Sequence, residues 1–383
     1  MAKPRKIRVD FRKNRSVRRR GGDLTRSHGA DPDALGDMAS SERLSGKGEL
    51  TRRRTVRVDD DHPAVATWRG QVLHVHGLES FVRRDDDGTV VRCTTRRVLR
   101  TMAIDGRHPV VAGDRVAVRP ASPGAHAGGV RSSGPQFATI HSVEPRSSEL
   151  ARSSRGRRHV IVANVDQLLV VTSAARPALK PGLVDRMLVA AEASGIEPIV
   201  CVNKSDLVEP SAIVPLAGVY ARMGYRVVLC STVTGRGIDR LREEVRGRVT
   251  AVVGQSGVGK SSILNRIEPS LGLPVGEVSR ENDKGRHTTT TARLLPCSFG
   301  GCFVDTPGVR QFQLWEVVPA EVPASFRDLR PVANLCRYPD CTHDHEEGCA
   351  VKDAVADGLL DARRWESCRH MAANLDDTPE DDE

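Results

Sequence analysis

Apolar and polar positions divide the chain into segments of different texture. From Trp68 the runs "RGQVLHVHG", "SFVRRDDDGTVVRCTTRR", "GDRVAVRP" and "FATIHSVEP" alternate apolar with polar residues, and Gly, Asp and Pro separate them. A period of two marks half-buried strands. Several such strands in a short span predict a small barrel over 61–148. A five-stranded OB-type barrel fits the size, and such barrels often bind oligonucleotides. A barrel without a ligand fits the same pattern.

Over 155–318 the texture is α/β. "HVIVANVDQLLVVTSA" is a long apolar run, as expected of a strand buried on both faces of a parallel sheet. "GLVDRMLVAAEASG" has helical periodicity and stops at Gly195, and "GIDRLREEVRG" reads as a further helix. "EPIVCVNKSD", "YRVVLCSTVTG", "VTAVVG" and "GCFVDTPG" read as strands that each run into a loop, and "SSILNRI" opens another helix. Strands alternating with helices predict a doubly wound sheet whose ligand loops sit at the carboxyl ends of its strands. From about Glu316 the pattern turns helical and short, which delimits a mainly α segment over 319–372.

Composition adds the two ends. Of the first twenty residues ten are Lys or Arg, and six of the last eight are acidic. Both 1–60 and 373–383 are poor in apolar residues, so a disordered basic arm and a disordered acidic tail are expected. Net charge is +9. A basic arm reads either as a solvated segment or as a counterion-releasing contact with nucleic-acid phosphates. Aromatics make up only 3%, which argues against a wide base-stacking platform. No stretch approaches the roughly 18 apolar residues of a membrane span. The N-terminus has no apolar h-region, so a cytoplasmic protein without a membrane partner is expected. Six of the nine cysteines are scattered, several in apolar runs, as buried thiols in a reducing compartment would be.

The chemistry lies in the loops. "GQSGVGKSS", Gly254 to Ser262, has the Gly-x4-Gly-Lys-Ser spacing of a phosphate-binding P-loop. Gly254 and Gly259 permit backbone that turns N–H groups toward phosphate oxygens, Lys260 reaches the β- and γ-phosphates, and Ser261 offers a hydroxyl to Mg²⁺. "VNKSDL" reads as a guanine loop. The Asp206 carboxylate accepts from guanine N1–H and the 2-amino group, while Asn203 and Lys204 shape the loop around Ser205. Ser231, in "STVTGRG", stands where a second guanine-contacting loop is expected, with Thr232 in place of the usual Ala. "DTPG", Asp305 to Gly308, follows a strand and reads as the γ-phosphate sensor, Asp305 holding Mg²⁺ through a water. In "KGRHTTTT", Lys284 to Thr291, either Thr288 or Thr289 supplies a second hydroxyl to Mg²⁺. The residue after Gly308 is Val309, which cannot orient an attacking water. His287 is a candidate for that task, a partner is another, and His287 as an exposed loop residue or RNA contact is a third.

The order of these loops is reversed, because Asn203 precedes Gly254 by 51 positions. Loops on one edge of a sheet can be reconnected through the old termini without disturbing that edge, so the order reads as a circular permutation. The permutation brings the sensor close to the C-terminal segment. There, "CRYPDCTHDHEEGC" offers Cys336, Cys341, His343 and Cys349 as a closed tetrahedral zinc site, with His345 as a rival ligand.

Together "NKSDL", "GQSGVGKSS", "KGRHTTT", "DTPGVRQF" and the Cys-x4-Cys-x-His-x5-Cys cluster resemble the circularly permuted ribosome small-subunit-dependent GTPase A family over roughly 65–370. The resemblance implies an OB-fold barrel, a permuted P-loop GTPase domain and a C-terminal domain holding one structural zinc. It implies GTP and GDP as ligands with Mg²⁺, and nucleotide contacts from Asn203, Lys204, Ser205 and Asp206 and from Gly254, Gln255, Ser256, Gly257, Val258, Gly259, Lys260, Ser261 and Ser262. The family's proposed catalytic His falls on His287. It also implies action in late maturation of the small ribosomal subunit, rRNA contact, hydrolysis stimulated by that subunit, and release on hydrolysis. A monomer is expected. The long arm and tail, and Thr291 where a His is frequent, depart from the pattern. A rival reading is an RNA-binding scaffold in which nucleotide is a structural ligand. An ATPase is disfavoured by Asp206.

Overall fold

The computed structural model describes residues 67–96, 99, 109–120, 137–154, 157–275, 292–305 and 321–374, with backbone alone at 5–12, 40–42, 51–58, 137, 152–154, 157–158 and 374. Two compact units divide the chain. One comprises Met1–Gln71, His76–Val110 and Arg115–Glu144, the other Val72–Val75, Val111–Asp114 and Pro145–Glu383.

The basic arm departs from the disorder expected of its composition. Strands β1 (Arg5–Arg12), β2 (Ser40–Glu42) and β3 (Thr51–Val58) form an antiparallel sheet of order β1–β3–β2. The sequence reason is an alternation that net charge conceals: Ile7, Val9 and Phe11 recur with the period of a strand.

The predicted barrel follows. Strands β4 (Trp68–His76), β5 (Glu79–Arg84), β6 (Val90–Thr95), β7 (Arg115–Pro120) and β8 (Phe137–Val143) pair in the order β4–β5–β6–β8–β7, and β4 pairs β7 to close the ring. Val82, Cys93, Val116, Val118 and Ile140 are buried, as inward positions of a period-two strand should be.

The second unit begins with the antiparallel hairpin β9 (Glu149–Ser154) and β10 (Arg157–Ala163). Here a sequence expectation is corrected. The apolar run from His159 is not one strand. It is the end of β10, a turn, and β11 (Gln167–Ser173). Asn164 makes the break: its φ is 53°, and its side chain accepts from Ser147 N at 2.9 Å and donates to Gly113 O at 3.0 Å.

From β11 the strands and helices alternate: α1 (Pro181–Ala193), β12 (Glu197–Asn203), α2 (Pro210–Arg222), β13 (Arg226–Leu229), α3 (Ile238–Val245), β14 (Val249–Val253) and α4 (Lys260–Ile267). The hairpin β15 (Arg293–Pro296) and β16 (Cys302–Asp305) completes the sheet in the order β13–β12–β11–β14–β16–β15. All pairs are parallel except β15 with β16. β11 is buried along its whole length because helices cover both faces. Alternate residues feed two cores: Leu168 and Val170 join Val184 and Leu188 of α1, while Leu169 and Val171 join Leu241, Ile263 and Phe303.

The C-terminal module is short-helical: α5 (Arg330–Ala333), α6 (Ala350–Ala356) and α7 (Ala362–Asn374). Val322, Phe326, Leu329, Val351, Cys368 and Met371 form its core, and α1 contributes Val189 to it.

One carboxylate ties the end of α4 to the β15–β16 turn. Glu268 accepts from Ser270 N and Oγ at 3.3 and 2.5 Å, and from Ser298 N and Oγ at 2.7 and 2.6 Å. The hydroxyl and amide donors of Ser270 and Ser298 hold its pKa down to about 2, against an ordinary 4.5. The folded pKa is depressed, so the stabilisation is full above about pH 4.5 and disappears as pH falls toward 2. Glu268→Gln should therefore destabilise the protein equally at pH 7 and pH 5, and by progressively less from about pH 4.5 toward pH 2. Urea unfolding of both proteins across that range checks the convergence.

Candidate functional site

Five parallel strands end on one edge, so their following loops share one surface. Loop 254–259 leaves β14, loop 203–206 leaves β12, loop 230–237 leaves β13, and Asp305 ends β16. The predicted guanine loop and P-loop are in direct contact. Asn203 Nδ2 donates to Val258 O at 2.9 Å, and Lys204 Nζ donates to Gly257 O at 2.9 Å. Lys204 also donates to Arg176 O. It reaches both from a left-handed backbone, φ 59°.

The glycines are needed for space as well as conformation. A Cβ on Gly254, whose φ is 146°, would lie 2.1 Å from Val171 O, and one on Gly259 would lie 2.4 Å from Asn203 Nδ2. Gly259 also N-caps α4 in the left-handed region, so the free N–H groups of the helix start face the loop. Lys260 Nζ donates to Gly254 O and Gln255 O, both at 2.8 Å, which holds the ammonium across the loop. Ser261 and Ser262 follow in the first turn of α4, half-buried, while Ser256 and Gly257 are exposed.

Around the guanine loop, Asn203 and Ser205 are buried and Asp206 is exposed, its carboxylate open to a ligand. Ser205 N donates to Cys230 O at 3.1 Å, which docks this loop on the one after β13. Ser231 is buried and its Oγ accepts from Thr234 N at 3.1 Å, closing that loop locally; Thr232 is half-buried beside it. Asp305 is exposed at the strand end. Gly308, Val309, His287, Thr288, Thr289 and Thr291 lie outside the described residues. No sequence motif points to Arg176, which enters the site through its carbonyl oxygen. Backbone acceptors carry no residue-type signal.

The predicted ligand cluster also assembles. The donor atoms of Cys336, Cys341, His343 and Cys349 all lie within 4.8 Å of one another. His343 Nδ1 is 3.5 Å from both Cys336 Sγ and Cys349 Sγ, and those two sulfurs are 3.9 Å apart. A tetrahedral ion with bonds of about 2.3 Å to sulfur and 2.0–2.1 Å to nitrogen requires edges of about 3.8 Å and 3.6 Å. The cluster therefore has the size of a four-coordinate metal site. His345, the rival, is exposed and outside the cluster. Burial, together with the neighbouring Cys349 and Cys336 thiols, pushes the Cys341 thiol up to about 12. A bound cation reverses that, since it favours the thiolate. Burial lowers the pKa of His343, which leaves its imidazole neutral and able to ligate. Its backbone is left-handed at φ 62°, and its carbonyl accepts from Trp365 Nε1 of α7 at 2.8 Å.

Cys349 sits in the small core of the module as well as in the cluster. Cys349→Ser should release the metal and loosen 321–374 while nucleotide affinity stays within about twofold, because metal binding is worth about 10–16 kcal/mol to such modules. Metal content by elemental analysis and hydrogen exchange of 321–374 read the first effect, and nucleotide titration reads the second.

Comparison with known proteins is consistent across methods. The family model for the RsgA GTPase matches residues 143–315. The small ribosomal subunit biogenesis GTPase RsgA of Saccharophagus degradans is 38% identical over 321 residues, covering 80% of this chain and 87% of that protein. Its namesake from Ectopseudomonas mendocina is 40% identical over 317 residues, with 82% and 84% covered. Among solved structures, YjeQ from Thermotoga maritima superposes with a TM-score of 0.65 at 30% identity, covering 81% of this chain and 98% of that one. YloQ, described as a circularly permuted GTPase, gives 0.63 at 27% identity, with 85% and 100% covered. The reversed loop order, the shared strand edge and these likenesses agree, and the chain belongs to the RsgA GTPase family.

Proposed function

We propose that this chain hydrolyses GTP to GDP and phosphate during late maturation of the small ribosomal subunit, is stimulated by that subunit, and leaves it on hydrolysis. The observation that carries the reading is the contact between the two loops. Asn203 and Lys204 bond to the carbonyls of Val258 and Gly257, so a base held at Asp206 and phosphates held at Gly254–Ser262 belong to one ligand.

In this reading the Asp206 carboxylate accepts from guanine N1–H and the 2-amino group. Asn203, Lys204, Ser205 and Ser231 shape the base pocket. Gln255, Ser256, Gly257, Val258 and Gly259 present backbone N–H groups to the phosphates, and Lys260 leaves its two carbonyl acceptors to meet the β- and γ-oxygens. Magnesium bound with GTP neutralises developing charge, and Ser261 and Asp305 are its protein partners. Thr288 or Thr289 adds a hydroxyl, Gly308 senses the γ-phosphate and His287 orients water. Motif spacing supports the threonine and glycine roles, and the family resemblance supports His287. Zinc is the metal best suited to a three-thiolate, one-imidazole set, and with all four positions taken by protein it acts as a structural staple. rRNA is the surface met on the subunit, the basic arm adds phosphate contacts, and the protein works as a cytoplasmic monomer. Among the described residues no helix is long and apolar enough to cross a membrane.

Turnover without subunits should be on the order of 10⁻⁴–10⁻³ s⁻¹, as for unassisted small GTPases. Purified small subunits should raise it strongly, and Lys260→Ala should abolish the rise. Subunits that bind without raising the rate would instead favour the scaffold reading. Base choice is a separate check. Asp206→Asn should weaken GDP binding by about 10-fold or more, since it leaves a donor pair of the base unmet, and should narrow the preference over ADP. Competition titrations with GDP and ADP measure both.

A further inference from the structure

Helix α1 has two working sides. Leu183, Val184 and Met187 line a small pocket with Val171 and Thr172 of β11 and Gln255 of the P-loop. The residue after Val184 serves the other side. Asp185 Oδ1 accepts from Arg364 Nη1 of α7 at 2.6 Å and from Tyr220 OH at 3.0 Å. Arg364 turns its remaining nitrogens to Asp328, with Nε and Nη2 at 3.2 and 2.9 Å from the two carboxylate oxygens. Its guanidinium carbon lies 4.3 Å from the centre of the Phe326 ring. Arg364 and Asp185 are 2% and 1% exposed. A second arginine beside Asp328 works on the same side: Arg327 donates to Glu192 of α1 and, at 3.0 Å, to Glu197 of β12.

Adhesion alone does not need this arrangement. Apolar side chains of similar volume hold two elements together as well as a buried ion network does, and without its desolvation penalty. A planar guanidinium fixed by two carboxylates and a ring adds direction, because only one rotation of α7 against α1 satisfies all of them. Helix α1 is also fastened at its entry, where the Arg176 carbonyl of the preceding loop accepts from Lys204 of the guanine loop. One short helix thus separates loops that meet nucleotide from the module that holds the metal cluster.

We propose that Arg364 is a positioning residue that couples the nucleotide site to the metal-bearing module, by holding α7 to the face of α1 opposite the P-loop pocket. The proposal rests on the GTPase reading above and deepens it: ordering of the P-loop side of α1 by nucleotide changes how firmly the module is held, and a partner seated on the module acts back on the P-loop by the same joint. Thermodynamic linkage makes the coupling reciprocal for binding.

The test is hydrogen exchange over 321–374 in the full chain, with GDP and with a non-hydrolysable GTP analogue. Three proteins are compared: wild type, Arg364→Lys, and the combination Arg364→Met, Asp185→Asn, Asp328→Asn. Lysine keeps the charge but lacks the planar fork that fixes direction against two carboxylates and a ring at once. The combination removes the three charges of the Arg364 network together and leaves the Arg327 pairs in place, so no carboxylate is left buried and alone. In wild type, exchange of the module should differ by about threefold or more between the two nucleotides. In both variants the difference should collapse while each chain keeps its metal and its nucleotide affinity. Identical exchange with both nucleotides in wild type would overturn the joint, and so would a difference that persists in the triple variant. Should Arg364→Lys fail to fold, the triple variant decides. The two readings also fail separately. Absent turnover with nucleotide-dependent exchange sinks the GTPase assignment, whereas stimulated turnover with nucleotide-independent exchange sinks the joint alone.

Discussion

Everything at the candidate nucleotide edge depends on strands β11, β12, β13, β14 and β16 running parallel. Parallel strands deliver every following loop to the same rim, whatever order the chain visits them in. The bond from Asn203 Nδ2 to Val258 O then locks the first-visited loop against a later one. It also dictates glycine at position 259, since a Cβ there would strike the same amide nitrogen. Permutation is tolerated because no contact at the rim refers to chain order. It changes only which segment leaves the sheet last.

That last segment leads to a module that could not stand on its core alone. Residues 321–374 bury few large side chains, and domains of this size ordinarily need a staple. Three devices compensate. Cys349 belongs at once to the cluster that could hold a metal and to the apolar core. Trp365 caps the left-handed His343 through its indole N–H, which fastens the ligand loop to α7. Helix α1 lends Val189 to the core and Asp185 to the buried Arg364. The module is folded against the GTPase domain rather than hung from it.

The chemistry was legible in the sequence because it needs particular residue types at fixed local spacings. Gly254, Gly259 and Lys260 lie within one short loop, as do Asn203 to Asp206, and the four candidate metal ligands fall within fourteen positions. The sheet was legible for a related reason, since burial on both faces leaves continuous apolar runs. Structure departs from sequence pattern where the local signal is ambiguous. Asn164 splits an apolar run that contains no Gly or Pro. Helix α2 was missed because Pro215 lies inside it and only Ile213 and Tyr220 are buried, which leaves little of an amphipathic stripe. The arm was read from its charge, which hid the alternation of Ile7, Val9 and Phe11.

The contacts that join the parts were not legible at all, and for a different reason. Asp185 and Arg364 are 179 positions apart, and Arg327 and Glu192 are 135 apart. In a chain with 58 basic residues and 49 acidic ones, no local pattern singles out the few that will be buried. Only the fold does so, by withdrawing the water that makes the other charges equivalent. Surface pairs such as Arg246 with Glu243 are worth little and could be exchanged freely. Arg364 cannot be neutralised by itself, because that strands Asp185 and Asp328 in a site almost closed to solvent. The candidate site residues, which cluster at short spacings, were thus visible in one dimension. Those that relate it to the rest of the molecule acquire their identity only through burial.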